Sequence, residues 1–283
     1  MPFTLGAEYA GIVAADSPIP TGCPYKPGDR VFGQSQGAYA ERIAADWTQS
    51  HLVPKGMSLD QASGVFLTWP TSYEALVGRG QLKPGDWVLV HAGAGGVGLS
   101  AVQIAKALGA KVIATAGSPT KLEVCKRFGG ADFVLDYRKK GWQTEVMKIT
   151  GGRGADIIYD PVGLIRDSLK CIAWKGRAIV IGFVAGDIEK LPLNLVLLKN
   201  ISIVGLHWGA YLKYDETRIP EVWDEIFKLF ESKRVVPVVY PEVFRGLESI
   251  PRGLQAIERR DSWGKVAVRL RDDDAVPDAS AKL

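Results

Sequence analysis

Residues 87–108 read WVLVHAGAGGVGLSAVQIAKAL, and this stretch decides the fold. Trp87 to His91 form an apolar run with a polar last member, entered through Lys83-Pro84-Gly85-Asp86 and left through glycine, the pattern of a buried strand. Gly93-Ala94-Gly95-Gly96-Val97-Gly98 fits G-x-G-x-x-G, and from Gly98 onward Leu99, Val102, Ile104, Ala105 and Leu108 recur at helical spacing. Strand, glycine turn and helix in that order let the backbone turn tightly, approach a pyrophosphate and pack the helix on the strand. The helix N-terminus then faces the phosphates with unpaired N–H groups and the positive end of its dipole.

Working outward, strands and helices alternate. Val112 to Thr115 reads as a strand, and Ser118-Pro119 as a cap followed by proline at the first helical position of a helix ending at Gly129-Gly130. Phe133 to Leu135, Asp156 to Tyr159, Ala178 to Gly182 and Ile201 to Val204 read as strands; Trp142 to Ile149, Ile165 to Ile172 and Glu221 to Ser232 read as helices. This alternation predicts an α/β fold with a doubly wound parallel sheet. Before it, Ala10 to Ala15, Arg30 to Phe32 and Ala38 to Ile43 read as strands around a loop at Thr21 to Gly28, an all-β module. Ser58 to Val77 turns helical, with Ser58 and Asp60 as caps. Val266 to Leu270 reads as a closing strand, and the tail DDDAVPDASAKL as disordered.

Composition bounds the function. A chain of 283 residues with 47% hydrophobic content can bury a sizeable core. The net charge of +4 comes from 35 basic and 31 acidic residues spread along the chain, so no tract points to nucleic acid. No run reaches the length of a membrane span, so no membrane partner is expected. Cys23, Cys125 and Cys171 lack paired spacing, which argues for a reducing compartment, with Cys125 and Cys171 in the core.

The second strand decides the cofactor. Where an NAD site places Asp or Glu for the ribose 2′-OH, this chain has Ala114-Thr115-Ala116-Gly117-Ser118-Pro119-Thr120-Lys121, without an acid. Ser118 can donate a hydrogen bond and Lys121 supplies charge, so NADPH is favoured. Tyr137, just past the third strand, is placed beside the adenosine phosphate.

Gly6-Ala7-Glu8-Tyr9-Ala10-Gly11, Gly28-Asp29-Arg30-Val31, Gly37-Ala38-Tyr39-Ala40-Glu41, Thr71-Ser72-Tyr73-Glu74-Ala75-Leu76, HAGAGGVG and Gly264-Lys265-Val266 fall in an order that resembles medium-chain dehydrogenases/reductases, in particular their zinc-independent quinone oxidoreductase (zeta-crystallin-like) branch. The resemblance implies a Rossmann domain at 67–205, a GroES-like β domain at 1–66 with a return at 206–271, and a disordered tail at 272–283. It also implies NADPH-dependent reduction of quinones or α,β-unsaturated carbonyls (enones, alkenals or enoyl thioesters) in a cleft between the domains. Carried over residue by residue, it assigns Ala94, Gly95, Gly96 and Val97 to the pyrophosphate and Gly117, Ser118, Lys121 and Tyr137 to the adenosine half. Gly182, Phe183 and Leu206 to Trp208 would flank the nicotinamide, with Thr71 at the cofactor and Asp160-Pro161-Val162-Gly163 near it.

Gly6-Ala7-Glu8 stands where zinc-dependent relatives have Gly-His-Glu, and no four-cysteine lobe is present, so no metal is expected. Met1 falls where relatives have opening β-domain strands behind them, so an incomplete, N-terminally shortened β domain is expected. That shortening leaves a catalytically impaired NADPH-binding or structural protein as the alternative. No catalytic acid can be named; Thr71, Tyr73, His207 and Tyr211 are candidates, and His91 is given a packing role. A homodimer through the apolar edge strand Ile201 to Val204 is expected. Ala281-Lys282-Leu283 resembles the Ser-Lys-Leu signal read by the peroxisomal import receptor, with cytoplasm as the alternative location.

Overall fold

The computed structural model describes residues 4–184, 186 and 188–270, in two compact units. The Ala281-Lys282-Leu283 signal lies outside the described residues. Unit 2 runs from Thr68 to Val236; unit 1 comprises the residues before Thr68 and those from Pro237 onward.

Unit 2 is built on a six-stranded parallel sheet. Its strands are β4 (Trp87–Val90), β5 (Lys111–Ala116), β6 (Phe133–Asp136), β7 (Ala155–Asp160), β8 (Ile172–Val180) and β9 (Ser202–Gly205), in the order β6-β5-β4-β7-β8-β9. The order reverses between β4 and β7, the switch point at which open α/β sheets bind ligands beyond their strand carboxyl ends. The helices are α2 (Thr68–Tyr73) continuing into a π-helical turn (Glu74–Arg79), α3 (Gly96–Ala107), α4 (Pro119–Arg127), α5 (Trp142–Ile149), α6 (Ile165–Ser168), α7 (Leu193–Lys199), α8 (Tyr211–Tyr214) and α9 (Arg218–Glu231). Val88, Leu89 and Val90 are fully buried, as a strand covered on both faces requires. Leu89, Ile113, Ile158, Val146, Leu169 and Ala178 belong to one core cluster.

Unit 1 carries β1 (Glu8–Ile12), β2 (Arg30–Gln34) and β3 (Ser50–Leu52) as an antiparallel sheet, with α1 (Leu59–Ala62) after it. Phe32, fully buried on β2, packs against His51 and Phe66 at ring distances of 5.6 and 6.5 Å. The later segment adds β10 (Phe244–Arg245), α10 (Ile250–Glu258) and β11 (Val268–Arg269), with β11 parallel to β10. Lys265 pairs with Glu8 at 2.6 Å and Arg269 donates to Asp60 at 3.0 Å, tying this segment to the start of the chain.

Five expectations are corrected. The chain returns to unit 1 at Pro237 rather than 206, because α9 buries Val222, Trp223, Ile226, Leu229 and Phe230, with Phe230 edge-on to Trp69 of α2 at 4.7 Å. Ala38 to Ile43 is not a strand: the N–H groups of Ala38 and Tyr39 go to the carbonyls of Gly6 and Leu5 instead of a ladder. The helix over Ser58 to Val77 is broken between Ala62 and Thr68, since Pro70 has no N–H to give Phe66. Ser58 does cap α1, in a reciprocal box with Gln61, whereas Asp60 turns to Arg269. The helix from Ile165 ends at Ser168, because Cys171 accepts the Ala155 N–H at 2.9 Å and Ile172 opens β8.

Candidate functional site: the carboxyl edge of the parallel sheet

The glycine turn after β4 is shaped by contacts no side chain would permit. A Cβ on Gly98 would lie 2.1 Å from the Ala92 carbonyl oxygen, and one on Gly93 would lie 2.8 Å from Ala114 Cβ on β5. Both glycines are buried, whereas Gly95, Gly96 and Val97 form a half-exposed rim at the start of α3; Ala94 is buried beneath it. The first-turn N–H groups of α3 are therefore presented at the sheet's carboxyl edge, a ready anion cradle.

Behind the cradle lies a buried hydroxyl cluster. Ser72 Oγ donates to the Val97 carbonyl at 2.9 Å and lies 2.8 Å from Ser100 Oγ and 3.0 Å from the Tyr159 hydroxyl. It joins α2, α3 and β7; Thr71, next in chain to Ser72, is half-buried. His91 is fully buried between β5 and α6. Ser168 donates to the Leu164 carbonyl, so His91 Nε2 donates to Ser168 at 2.7 Å and Nδ1 accepts from Thr115 at 2.9 Å. Burial holds its pKa down at about 4, leaving a neutral packing residue.

The residues expected at the adenosine half lie near one another. Ser118 caps α4, accepting from the Lys121 N–H at 3.3 Å, with Pro119 at the first helical position and Lys121 in the first turn. A Cβ on Gly117 would lie 3.0 Å from the Tyr137 hydroxyl, so the tyrosine closes over the β5–α4 turn while its ring packs on the core. Arg138 clamps the Asp136 carboxylate with two side-chain bonds of 3.0 and 2.8 Å, holding Asp136 down at about 2.

Beyond β7 and β8 the loops are held by carboxylates. Asp160, 1% exposed, accepts the N–H groups of Val162 (2.8 Å), Gly163 (3.1 Å) and Leu164 (2.5 Å). The Val184 N–H reaches the Pro161 carbonyl at 3.1 Å, bringing the Gly182–Phe183 segment against this loop; Phe183 is exposed. Leu206 continues the β9 ladder by donating to Val180 at 3.1 Å, and Leu206 and Trp208 are buried, Trp208 at 4.9 Å from the Tyr211 ring. The Tyr211 hydroxyl donates to Glu74 at 3.2 Å, and burial beside that carboxylate pushes it up to about 12. Tyr73 is buried and raised by that burial, whereas His207 is exposed.

Sequence reasoning missed Asp160 as the organiser of its loop, although Asp-Pro-x-Gly is a turn signature whose aspartate caps following N–H groups. It also missed Ser72, Ser100 and Glu74, which no local signal marks. Among the described residues no three His, Cys, Asp or Glu side chains gather as metal ligands, and no helix is long and apolar enough to cross a membrane.

A family model described as zinc-binding dehydrogenase matches residues 96–229, within unit 2. The Nematostella vectensis quinone oxidoreductase-like protein 2 homolog is 34% identical over 277 residues, covering 96% of this chain and 74% of that protein. The chain belongs to the zinc-independent quinone oxidoreductase branch of the medium-chain dehydrogenase/reductase superfamily. Among solved structures, a probable oxidoreductase from Mycobacterium abscessus matches at TM-score 0.84 and 34% identity, over 95% of this chain and 80% of that one. The Escherichia coli quinone oxidoreductase, solved in complex with NADPH, matches at TM-score 0.82 and 30% identity, over 95% of this chain and 83% of that one.

Proposed function

We propose that the protein is an NADPH-dependent reductase that delivers hydride to quinones or α,β-unsaturated carbonyls, including enones, alkenals and enoyl thioesters. The observation that carries the reading is the acid-free β5–α4 turn, where Gly117 lies against Tyr137 and is followed by Ser118 and Lys121, on the same sheet edge as the glycine cradle. A 2′-phosphate there meets a hydroxyl and an ammonium in place of a repelling carboxylate. The NADPH complex of the Escherichia coli relative supports the same cofactor.

The first-turn N–H groups at Gly96 and Val97 would take the pyrophosphate, Gly117, Ser118, Lys121 and Tyr137 the adenosine half, and Gly182, Phe183, Leu206 and Trp208, with Thr71, the nicotinamide side. Bound NADPH supplies the hydride; the chain's residues bind, orient and exclude water around it. A hydroxyl or backbone N–H near the acceptor carbonyl would stabilise the oxygen that gains charge. Two copies would join along β9, whose apolar edge adjoins the exposed Leu193, Leu197 and Leu198 of α7; light scattering at micromolar concentration checks this, a monomer counting against it.

The test is NADPH consumption with a panel of simple quinones, alkenals and enoyl thioesters. Saturable, protein-dependent turnover with one class is expected. Bound NADPH that no acceptor oxidises would leave a binding protein and overturn the reductase reading.

A further inference from the structure

The continuation of α2 is unusual. The Gly80 N–H bonds to the Ala75 carbonyl five residues back at 2.7 Å, a π-helical turn of the kind that recurs at functional sites. Glu74 opens this turn with only 5% of its surface exposed. Its carboxylate folds along the helix into the space a side chain at Gly78 would need: a Cβ there would lie 2.0 Å from Glu74 Oε1. From that pocket Oε1 accepts from the Tyr211 hydroxyl at 3.2 Å, and Oε2 pairs with the Arg218 guanidinium at 3.0 Å. At the other end of the same turn Arg79 Nε donates to the Gly205 carbonyl at 3.2 Å.

One helix therefore touches both halves of the carboxyl edge. Through Ser72 it holds the Val97 carbonyl at the glycine cradle, and through Glu74 and Arg79 it holds the chain from Gly205 to Tyr211 beyond β9. A dinucleotide laid across the switch point spans these two places, its phosphates at the cradle and one nucleoside over the β7–β9 side. We infer that Glu74 is a positioning residue: with Tyr211 and Arg218 it latches the Gly205–Tyr211 segment to the helix that braces the cradle through Ser72, and so sets the wall against which the nicotinamide rests. Tyr211 transmits the latch to Trp208, whose ring it faces at 4.9 Å. This rests on the NADPH reading above, but concerns only the nicotinamide half.

The experiment compares two nucleotides on the intact protein by titration calorimetry. NADPH engages both halves, whereas 2′,5′-ADP engages the adenosine half alone. Glu74→Gln keeps an acceptor for Tyr211 but removes the buried counter-charge of Arg218, leaving it only its pair with Glu221 at 2.7 Å; it should weaken NADPH tenfold or more while 2′,5′-ADP stays within twofold. Tyr211→Phe, which removes one hydroxyl, should weaken NADPH about threefold with the same selectivity, and it serves where Glu74→Gln does not fold. Where NADPH is turned over, the kcat of both variants should fall and the primary deuterium isotope effect on hydride transfer should rise. Equal losses for both nucleotides would mark a general structural defect and overturn the positioning role, as would unchanged NADPH affinity in the folded variants. An unmodified protein that binds neither nucleotide removes the cofactor reading itself, and the latch's role with it.

Discussion

The two halves of the parallel sheet are built differently. In the β4-β5-β6 half the turns after β4 and β5 are set by backbone and local capping: glycines where a Cβ would strike a carbonyl, Ser118 over its own helix, Pro119 in the first turn. In the β7-β8-β9 half they are closed by carboxylates. Asp160 gathers three N–H groups, Glu189 accepts those of Ile165 and Arg166 at 2.8 and 3.0 Å, and Glu74 reaches Tyr211 and Arg218. The turns after β4 and β5 are thus fixed by sterics and caps, which neither pH nor salt alters, whereas the Asp136–Arg138 pair after β6 and the second half rest on charge-assisted hydrogen bonds, which can be removed one atom at a time.

The largest effect should come from breaking the steric half. Gly98→Val places branched carbon against the Ala92 carbonyl, already 2.1 Å from a bare Cβ, and should cost about 3 kcal/mol or more in thermal melts, abolishing NADPH binding. Gly95→Ala, whose Cβ would stand 3.3 Å from the same oxygen, should keep the melting temperature and weaken NADPH alone. Similar losses of stability in both would mean the rim glycine serves packing rather than phosphate approach.

On the carboxylate side, Asp160→Asn replaces an acceptor-only group with an amide whose NH₂ must face an N–H donor. It should cost about 3 kcal/mol in urea unfolding and speed amide exchange at Val162 to Leu164, while 2′,5′-ADP still binds. Loss of 2′,5′-ADP binding would erase the distinction between the halves.

Acid offers a probe of both units. Burial lowers His51 in unit 1 and His91 in unit 2 from 6.5 to about 4, so the unfolded chain takes up protons that the folded one refuses. Stability present above pH 6.5 should be lost as pH falls toward 4, by roughly 3 kcal/mol per histidine. His51→Phe should flatten that acid limb; a limb of unchanged slope in urea titrations would place the proton uptake elsewhere. Ser118→Ala should have the smallest effect, about 1 kcal/mol for a lost cap, measured by thermal unfolding.

What could be read from sequence follows the same division. The β4–α3 and β5–α4 units and the α5 boundaries were legible because caps, prolines, glycines and periodicity are local signals. The early part of β8 was not, since Lys175-Gly176 reads as a turn while the strand runs through them, Lys175 at φ 63° and the register shifting opposite. Ala38 to Ile43 has strand-like alternation but spends its N–H groups on Leu5 and Gly6. Glu74 was quoted only as part of a family motif; its partners Tyr211 and Arg218 lie far along the chain, and their meeting is a product of the fold. The glycine turn and the cap at Ser118 were legible because their signals are local, whereas the contacts of Glu74 became visible only in three dimensions.

The most direct test of the account is a titration of the unmodified protein with NADPH and NADH, followed by cofactor fluorescence. The acid-free turn from Thr115 to Lys121 predicts that NADPH binds at least tenfold more tightly, about 1.4 kcal/mol, and that Lys121→Glu erases much of the difference. Equal affinity of the unmodified protein for the two nucleotides would contradict it.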